Sequence, residues 1–128
     1  MADREGDAAL GSPVTPYFTV EDADLFLGFI QTVFDAQMVK DDRYADGRVP
    51  HARARIGTSL IMVNTANEAY PANVSQMHLR VANVEATLAR AVNAGAKVSM
   101  APNTRPHGER MAGVTDPCGN IWWIASPA

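Results

Sequence analysis

The chain holds three histidines, and each stands where its neighbours permit chemistry. His78 lies two residues from Gln76, so on a strand the amide and the imidazole share one face. A neutral imidazole there can act as a general base or hydrogen-bond a ligand, or it can simply satisfy a cross-strand partner. His51 opens the alternation His51-Ala52-Arg53-Ala54-Arg55. Its polar face offers guanidinium forks to an anionic or planar ligand, or forms a solvated surface or a salt bridge across a dimer. His107-Gly108-Glu109-Arg110 sets a base, a carboxylate and a cation within four residues. Glu109 beside a histidine is the best acid/base pair the chain offers, and the same composition suits a solvated hairpin. Trp122 and Trp123 are adjacent, so on a strand they point to opposite faces. Cys118, the sole cysteine, has no cationic neighbour in sequence to stabilise a thiolate and is not expected to be a nucleophile.

The elements that would position these side chains come twice. Val20-Glu21-Asp22-Ala23-Asp24 and Val81-Ala82-Asn83-Val84-Glu85 each close an alternating run and open an amphipathic helix, about sixty residues apart. Residues 14–20 read as a strand, with Pro16 confining it to an edge or a beginning. A helix follows through Phe34, with Leu25, Phe26, Phe29, Ile30 and Val33 as its core face. Strands are expected over 36–44, 49–56 and 59–64, with Asp46-Gly47 as a hairpin turn. The second copy repeats the order: a strand over 74–81, a helix capped by Asn83 and ended by Gly95, then strands over 97–100, 110–115 and 121–125. Val84, Leu88, Ala91 and Val92 should point inward, and Pro102 to Pro106 should be a loop.

Each half thus reads strand–helix–strand–strand–strand. The organisation expected is a flexible arm over 1–12, a first module over 13–66, a linker over 67–73 and a second module over 74–127. One helix cannot cover both faces of a four-stranded sheet, so the open face needs a partner from the other half or from a second chain. In this repeat register Tyr17 matches His78.

Composition narrows the function. A net charge of −3 gives no basic surface for nucleic acid. No apolar stretch approaches the roughly 20 residues of a membrane span. Residues 1–12 lack the apolar core of a secretory signal. A lone cysteine permits no internal disulfide, and the cytoplasm is the expected compartment. Met38, Met62, Met77, Met100 and Met111 are spread over the strands and suit either a core or an irregular ligand cavity.

Several stretches carry a family resemblance. They are Val14 through Ala23; Asp46-Gly47-Arg48 with His51-Ala52 and Ile56-Gly57; Ser59 to Met62; His78-Leu79; Ala91 to Ala96; and Gly108-Glu109-Arg110 leading to Asp116-Pro117-Cys118-Gly119-Asn120-Ile121-Trp122. Over residues 14–126 the pattern resembles the glyoxalase/bleomycin-resistance/extradiol-dioxygenase superfamily, the vicinal oxygen chelate proteins, and within it the PhnB-like branch. The resemblance implies an α+β fold of two βαβββ modules whose curved mixed sheets surround a cleft. It also implies a homodimer, with possible exchange of modules between chains.

Metal-dependent members of that superfamily hold a divalent ion with four ligands, mostly His and Glu. Here the matching positions fall near Thr15, Gln76, Ile61 or Met62, and Trp123, a set poor in hard donors. Similar sequences read His-Ala-Glu where this one reads His51-Ala52-Arg53, a carboxylate replaced by a fixed cation. The resulting expectation is a metal-independent protein that binds a small hydrophobic or aromatic molecule, antibiotic-like, with no cofactor. Tyr17, Phe18, Met62, His78 and Trp123 would line its site, with Arg53 or Arg110 fixing a polar end. The alternative is a lyase, isomerase or dioxygenase of the same fold with an atypical site built from His51, Gln76, His78 or Glu109, with or without a divalent metal ion.

Overall fold

The computed structural model describes residues 12–128, so the arm expected over 1–12 lies outside the described residues except for Ser12. The first repeat forms strand β1 (Tyr17–Val20), helix α1 (Ala23–Phe34) and strands β2 (Gln37–Asp42), β3 (His51–Ile56) and β4 (Ser59–Thr65). The second forms strand β5 (Gln76–Arg80), helix α2 (Val84–Asn93) and strands β6 (Lys97–Thr104), β7 (Glu109–Thr115) and β8 (Ile121–Pro127). The fold is therefore α+β, with one βαβββ motif per repeat.

Each repeat makes one four-stranded mixed sheet, ordered β1-β4-β3-β2 and β5-β8-β7-β6. In both, the first strand runs parallel to the last and the other pairings are antiparallel. The registers are equivalent. Tyr17 stands beside Met62 in the first sheet, and His78 stands beside Trp123 in the second, each member sixty-one residues after its counterpart.

By contacts the chain divides into two compact units. One comprises the residues through Ala23 with Asp35–Asn73, and the other joins Asp24–Phe34 to Val74–Ala128. In the first unit, β3 alternates as its sequence requires: Ala52, Ala54 and Ile56 are buried, while His51, Arg53 and Arg55 stay partly open. Phe18 and Val20 on β1 and Ile61 and Val63 on β4 extend the buried face.

The core of the second unit centres on Trp122, 2% exposed, with the Phe34 ring at 4.7 Å and the Phe26 ring at 6.4 Å. Burying aromatic rings of this size contributes about 2–3 kcal/mol each. The indole N–H of Trp122 donates to Asp116 Oδ2 at 2.8 Å, and Asp116 Oδ1 accepts the backbone N–H groups of Cys118 and Asn120. One buried carboxylate thus closes the turn and satisfies the indole. Asn83 caps α2, its Oδ1 accepting from Ala86 N at 2.9 Å.

Some expectations are corrected. β6 runs through Thr104, so Pro102 lies within a strand rather than opening a loop. It is tolerated because β6 is an edge strand whose register breaks between Met100 and Asn103, where a missing N–H costs no ladder bond. Leu25 is 45% exposed and Leu27 takes the inward place on α1. On α2, Val92 is exposed and Leu88 only half-buried, while Thr87 is buried instead. The hydroxyl of Thr87 donates to Asn83 O at 2.9 Å, which removes the cost of burying it. Among the described residues no helix is long and apolar enough to cross a membrane.

Candidate functional site

Chemistry-bearing side chains gather on one face of each sheet, along equivalent rows of the ladder. In the first unit the row runs Tyr17–Met62–Arg53–Lys40 across all four strands. His51 lies two residues before Arg53 on the same face of β3 and bridges the row. Tyr17 Oη and His51 Nδ1 are 3.3 Å apart, and Arg53 Nε donates to His51 Nε2 at 3.2 Å.

These two bonds set the state of the imidazole. Nε2 accepts from a guanidinium that is always protonated, so it carries no hydrogen. The hydrogen of the neutral ring is then on Nδ1, donated to the Tyr17 oxygen. Burial pushes the His51 pKa down, and the cations Arg53 and Lys40 push it further, against a smaller upward pull from Asp42. Lys40 in turn is paired with Asp42 at 3.6 Å. Below this group Thr19 Oγ1 donates to Asn64 Oδ1 at 2.7 Å.

In the second unit the equivalent row is His78–Trp123–Gly113–Met100. The Trp123 indole N–H donates to Gln76 Oε1 at 2.9 Å. Its six-membered ring lies on the backbone of Gly113: a Cβ built there would meet Trp123 Cζ3 and Ser99 Oγ at 2.7 Å each. Glycine is the residue that lets the indole approach the strand this closely. At the rim Glu109 Oε1 receives two imidazoles, His107 Nε2 at 3.0 Å and His78 Nε2 at 3.3 Å. The hydrogen bond from His107 holds the Glu109 carboxyl below its usual range, and the bond from His78 adds to this.

Of the residues singled out in the sequence, Tyr17, His51, Arg53 and Met62 come together on the first sheet, and Gln76, His78, Glu109 and Trp123 on the second. Phe18, 1% exposed, points to the buried side of β1. Arg110 alternates away from Glu109 and pairs with Glu85 of α2, Nε to Oε2 at 3.0 Å. That bond lowers the Glu85 pKa. Sequence reasoning passed over Gly113. An isolated glycine inside a strand pattern signals close approach by another group, and here that group is the indole.

The sequence profile of the Glyoxalase/Bleomycin resistance protein/Dioxygenase superfamily matches residues 13–124. The chain belongs to this superfamily. An uncharacterized protein of Mycobacterium bovis is 30% identical over 125 residues, covering 89% of this chain and 82% of the relative. Among solved structures, TioX from Micromonospora sp. ML1 superposes with a TM-score of 0.77 at 23% identity, covering 92% of this chain and all of TioX (100%). A PhnB protein from Bacillus cereus gives a TM-score of 0.69 at 16% identity, covering 88% and 98%. At these identities the structural likenesses are likenesses of fold.

Superfamily membership raises the question of a divalent metal ion. The positions at which the resemblance places ligands carry Thr15, Met62 or Ile61, Gln76 and Trp123, and these do not suit one. Ile61 is buried at 4%, Met62 offers only a thioether, and Trp123 has no lone pair to give. The Gln76 carbonyl oxygen, the one hard donor of the set beside Thr15, is engaged by the indole N–H. Among the described residues no three His, Cys, Asp or Glu side chains are grouped to hold a metal ion.

Proposed function

We propose that this superfamily member binds a flat hydrophobic or aromatic small molecule, antibiotic-like in its chemistry, and that it does so without a metal. The carrying observation is Trp123. Its indole packs closely against Gly113 with its N–H engaged by Gln76, at the position where the resemblance expects a metal ligand. A partly open indole held by its ring contact and its N–H is a stacking surface for a planar ligand, with little freedom left to lose on binding. His78 and Met62 add a polar and a polarisable neighbour on their own sheets. The bleomycin-resistance branch of the superfamily gives the ligand class its precedent.

A panel of planar antibiotics titrated against indole fluorescence tests this. Quenching that disappears in Trp123→Leu supports the reading, and no quenching by any member overturns it. Metal analysis of protein purified without chelators tests the other half: a stoichiometric transition metal overturns metal independence. A second reading draws on Glu109, whose carboxylate is shared by His78 and His107. Those groups could move a proton in an isomerase- or lyase-type reaction. Turnover lost in both His78→Gln and Glu109→Gln, with ligand binding retained, would favour that enzyme.

The active form is proposed to be a homodimer. Val39 on edge strand β2 and Val98 on edge strand β6 are 43% and 48% exposed, apolar surface at two sheet edges that self-association would cover. A monomeric mass by light scattering would overturn this.

A further inference from the structure

We infer that the open face of the first sheet is a subsite for an oxyanion, and that its ligands are flat molecules bearing a carboxylate, gripped by Arg53 and Tyr17 with His51 as the positioning residue between them. This rests on the small-molecule reading only in taking that face as a ligand-binding surface.

Arg53 spends Nε–H on His51, and among the described residues neither of its terminal amino groups meets an acceptor. They form the end of the guanidinium fork, whose spacing matches the two oxygens of a carboxylate. Tyr17 is 47% exposed and its oxygen takes the hydrogen of His51 Nδ1, so its own O–H is left pointing to something the described residues do not supply. Both donors stand in one row of the ladder, separated by Met62. With neighbouring strands about 4.8 Å apart, the two ends lie roughly 10 Å from each other at the backbone. Both side chains reach the His51 ring, one at each nitrogen, with Met62 as the apolar side chain between their strands.

Other cations on the chain are less suited. Arg110 is neutralised by Glu85, Lys40 by Asp42 and Arg48 by Asp46. Arg55 shares the face of Arg53 but has no imidazole holding it in place. What distinguishes Arg53 is pre-organisation: His51 fixes one edge of the guanidinium and leaves the other free. His51 does not touch the ligand in this arrangement. It orients the fork and, through Nδ1–H, turns the tyrosine into a donor.

Calorimetric titration with benzoate and with its neutral isostere benzamide tests the inference. The native protein should bind benzoate at least about tenfold more tightly than benzamide, as expected for one charge-assisted fork. Arg53→Gln should abolish that preference, leaving benzoate and benzamide bound about equally. Arg55→Gln removes the same charge from the same strand face and should change the preference less than about threefold, since charge there is screened and unanchored. His51→Gln supplies an acceptor to Arg53 and should retain the preference, whereas His51→Ala should lose it. Nitrogen-15 shifts of the His51 ring should report the Nδ1–H form in the native protein and a changed state in Arg53→Gln.

An equal loss in Arg53→Gln and Arg55→Gln would overturn the inference in favour of a general positive field. Equal affinity for benzoate and benzamide in the native protein, or binding of neither, would also overturn it. The small-molecule reading is judged separately by quenching of Trp123. Should Arg53→Gln fail to fold, Arg53→Lys keeps the charge but loses the fork and should lower the preference by itself.

Discussion

The six-membered ring of Trp123 rests on the backbone of Gly113 so closely that a single methyl group added there would come within 2.7 Å of Cζ3. The glycine and the indole are one feature, a ring that can come this close because one strand residue has no side chain. Gly113→Ala is therefore expected to destabilise the protein by roughly 1–3 kcal/mol, the range for overpacking a site with no room. It should also tilt the indole off Gln76. Urea denaturation followed by far-ultraviolet dichroism measures the first effect. A double-mutant cycle with Trp123→Ala measures the coupling: in that background the alanine should cost much less. A full penalty without the indole would place the clash on Ser99 instead.

Asp116 is expected to be the most sensitive polar position of the second unit. It is 4% exposed and serves the Trp122 indole and two backbone N–H groups of its own turn. Asp116→Ala leaves three donors without their acceptor, one of them the N–H of the central core ring. A loss of about 2–4 kcal/mol is expected, read as a fall in the urea midpoint with an unchanged slope. Asp116→Asn retains an oxygen for part of the set and should lose less.

Asn83 is a smaller device with a cleaner readout. Its side chain accepts from Ala86 N in the first turn of α2. Asn83→Ala should cost about 1 kcal/mol, and Asn83→Asp or Asn83→Ser should cost only a few tenths. Thermal melts of the three variants check the order Ala below Ser and Asp.

The repeat was legible because period-2 alternation and helical spacing survive in both halves. Register followed from it: matching Tyr17 to His78 also matches Met62 to Trp123, and the ladders show both pairs. The adjacent tryptophans had to face opposite ways, but only packing decides which is buried, and Phe26 and Phe34 meet Trp122. Pro102 misled because a proline argues against a strand unless the strand is known to be at an edge with a broken register. Leu25 misled because its inclusion widened the apolar stripe of α1 beyond what is covered. The bond from Arg53 to His51 could not be read from spacing. Residues i and i+2 share a face, yet whether they touch, and through which nitrogen, is a rotamer outcome set by Tyr17 and the row around them. Gly113 was legible in principle, as a lone glycine within a strand.

His51 should confer a pH dependence whose sign follows from its environment. Burial and the neighbouring Arg53 and Lys40 lower its pKa, while Asp42 opposes them. Arg55 on the same strand and Tyr17 across the row complete the ionisable groups on that face. A folded pKa below the unfolded one means that the unfolded chain binds the proton first as pH falls. The contribution of His51 to stability is then fully present above the unfolded value near pH 6.5 and is lost as pH falls through the lowered folded value. In Arg53→Gln one lowering cause is removed and burial remains, so the folded pKa should rise part of the way back and the acid-sensitive window should narrow. Proton shifts of the His51 ring followed from about pH 8 to about pH 5 measure both values directly. Urea midpoints at the two ends should fall more for the native protein than for the His51→Gln variant. A His51 that titrates at or above the ordinary histidine range would mean that its ring is not held between Arg53 and Tyr17 in solution.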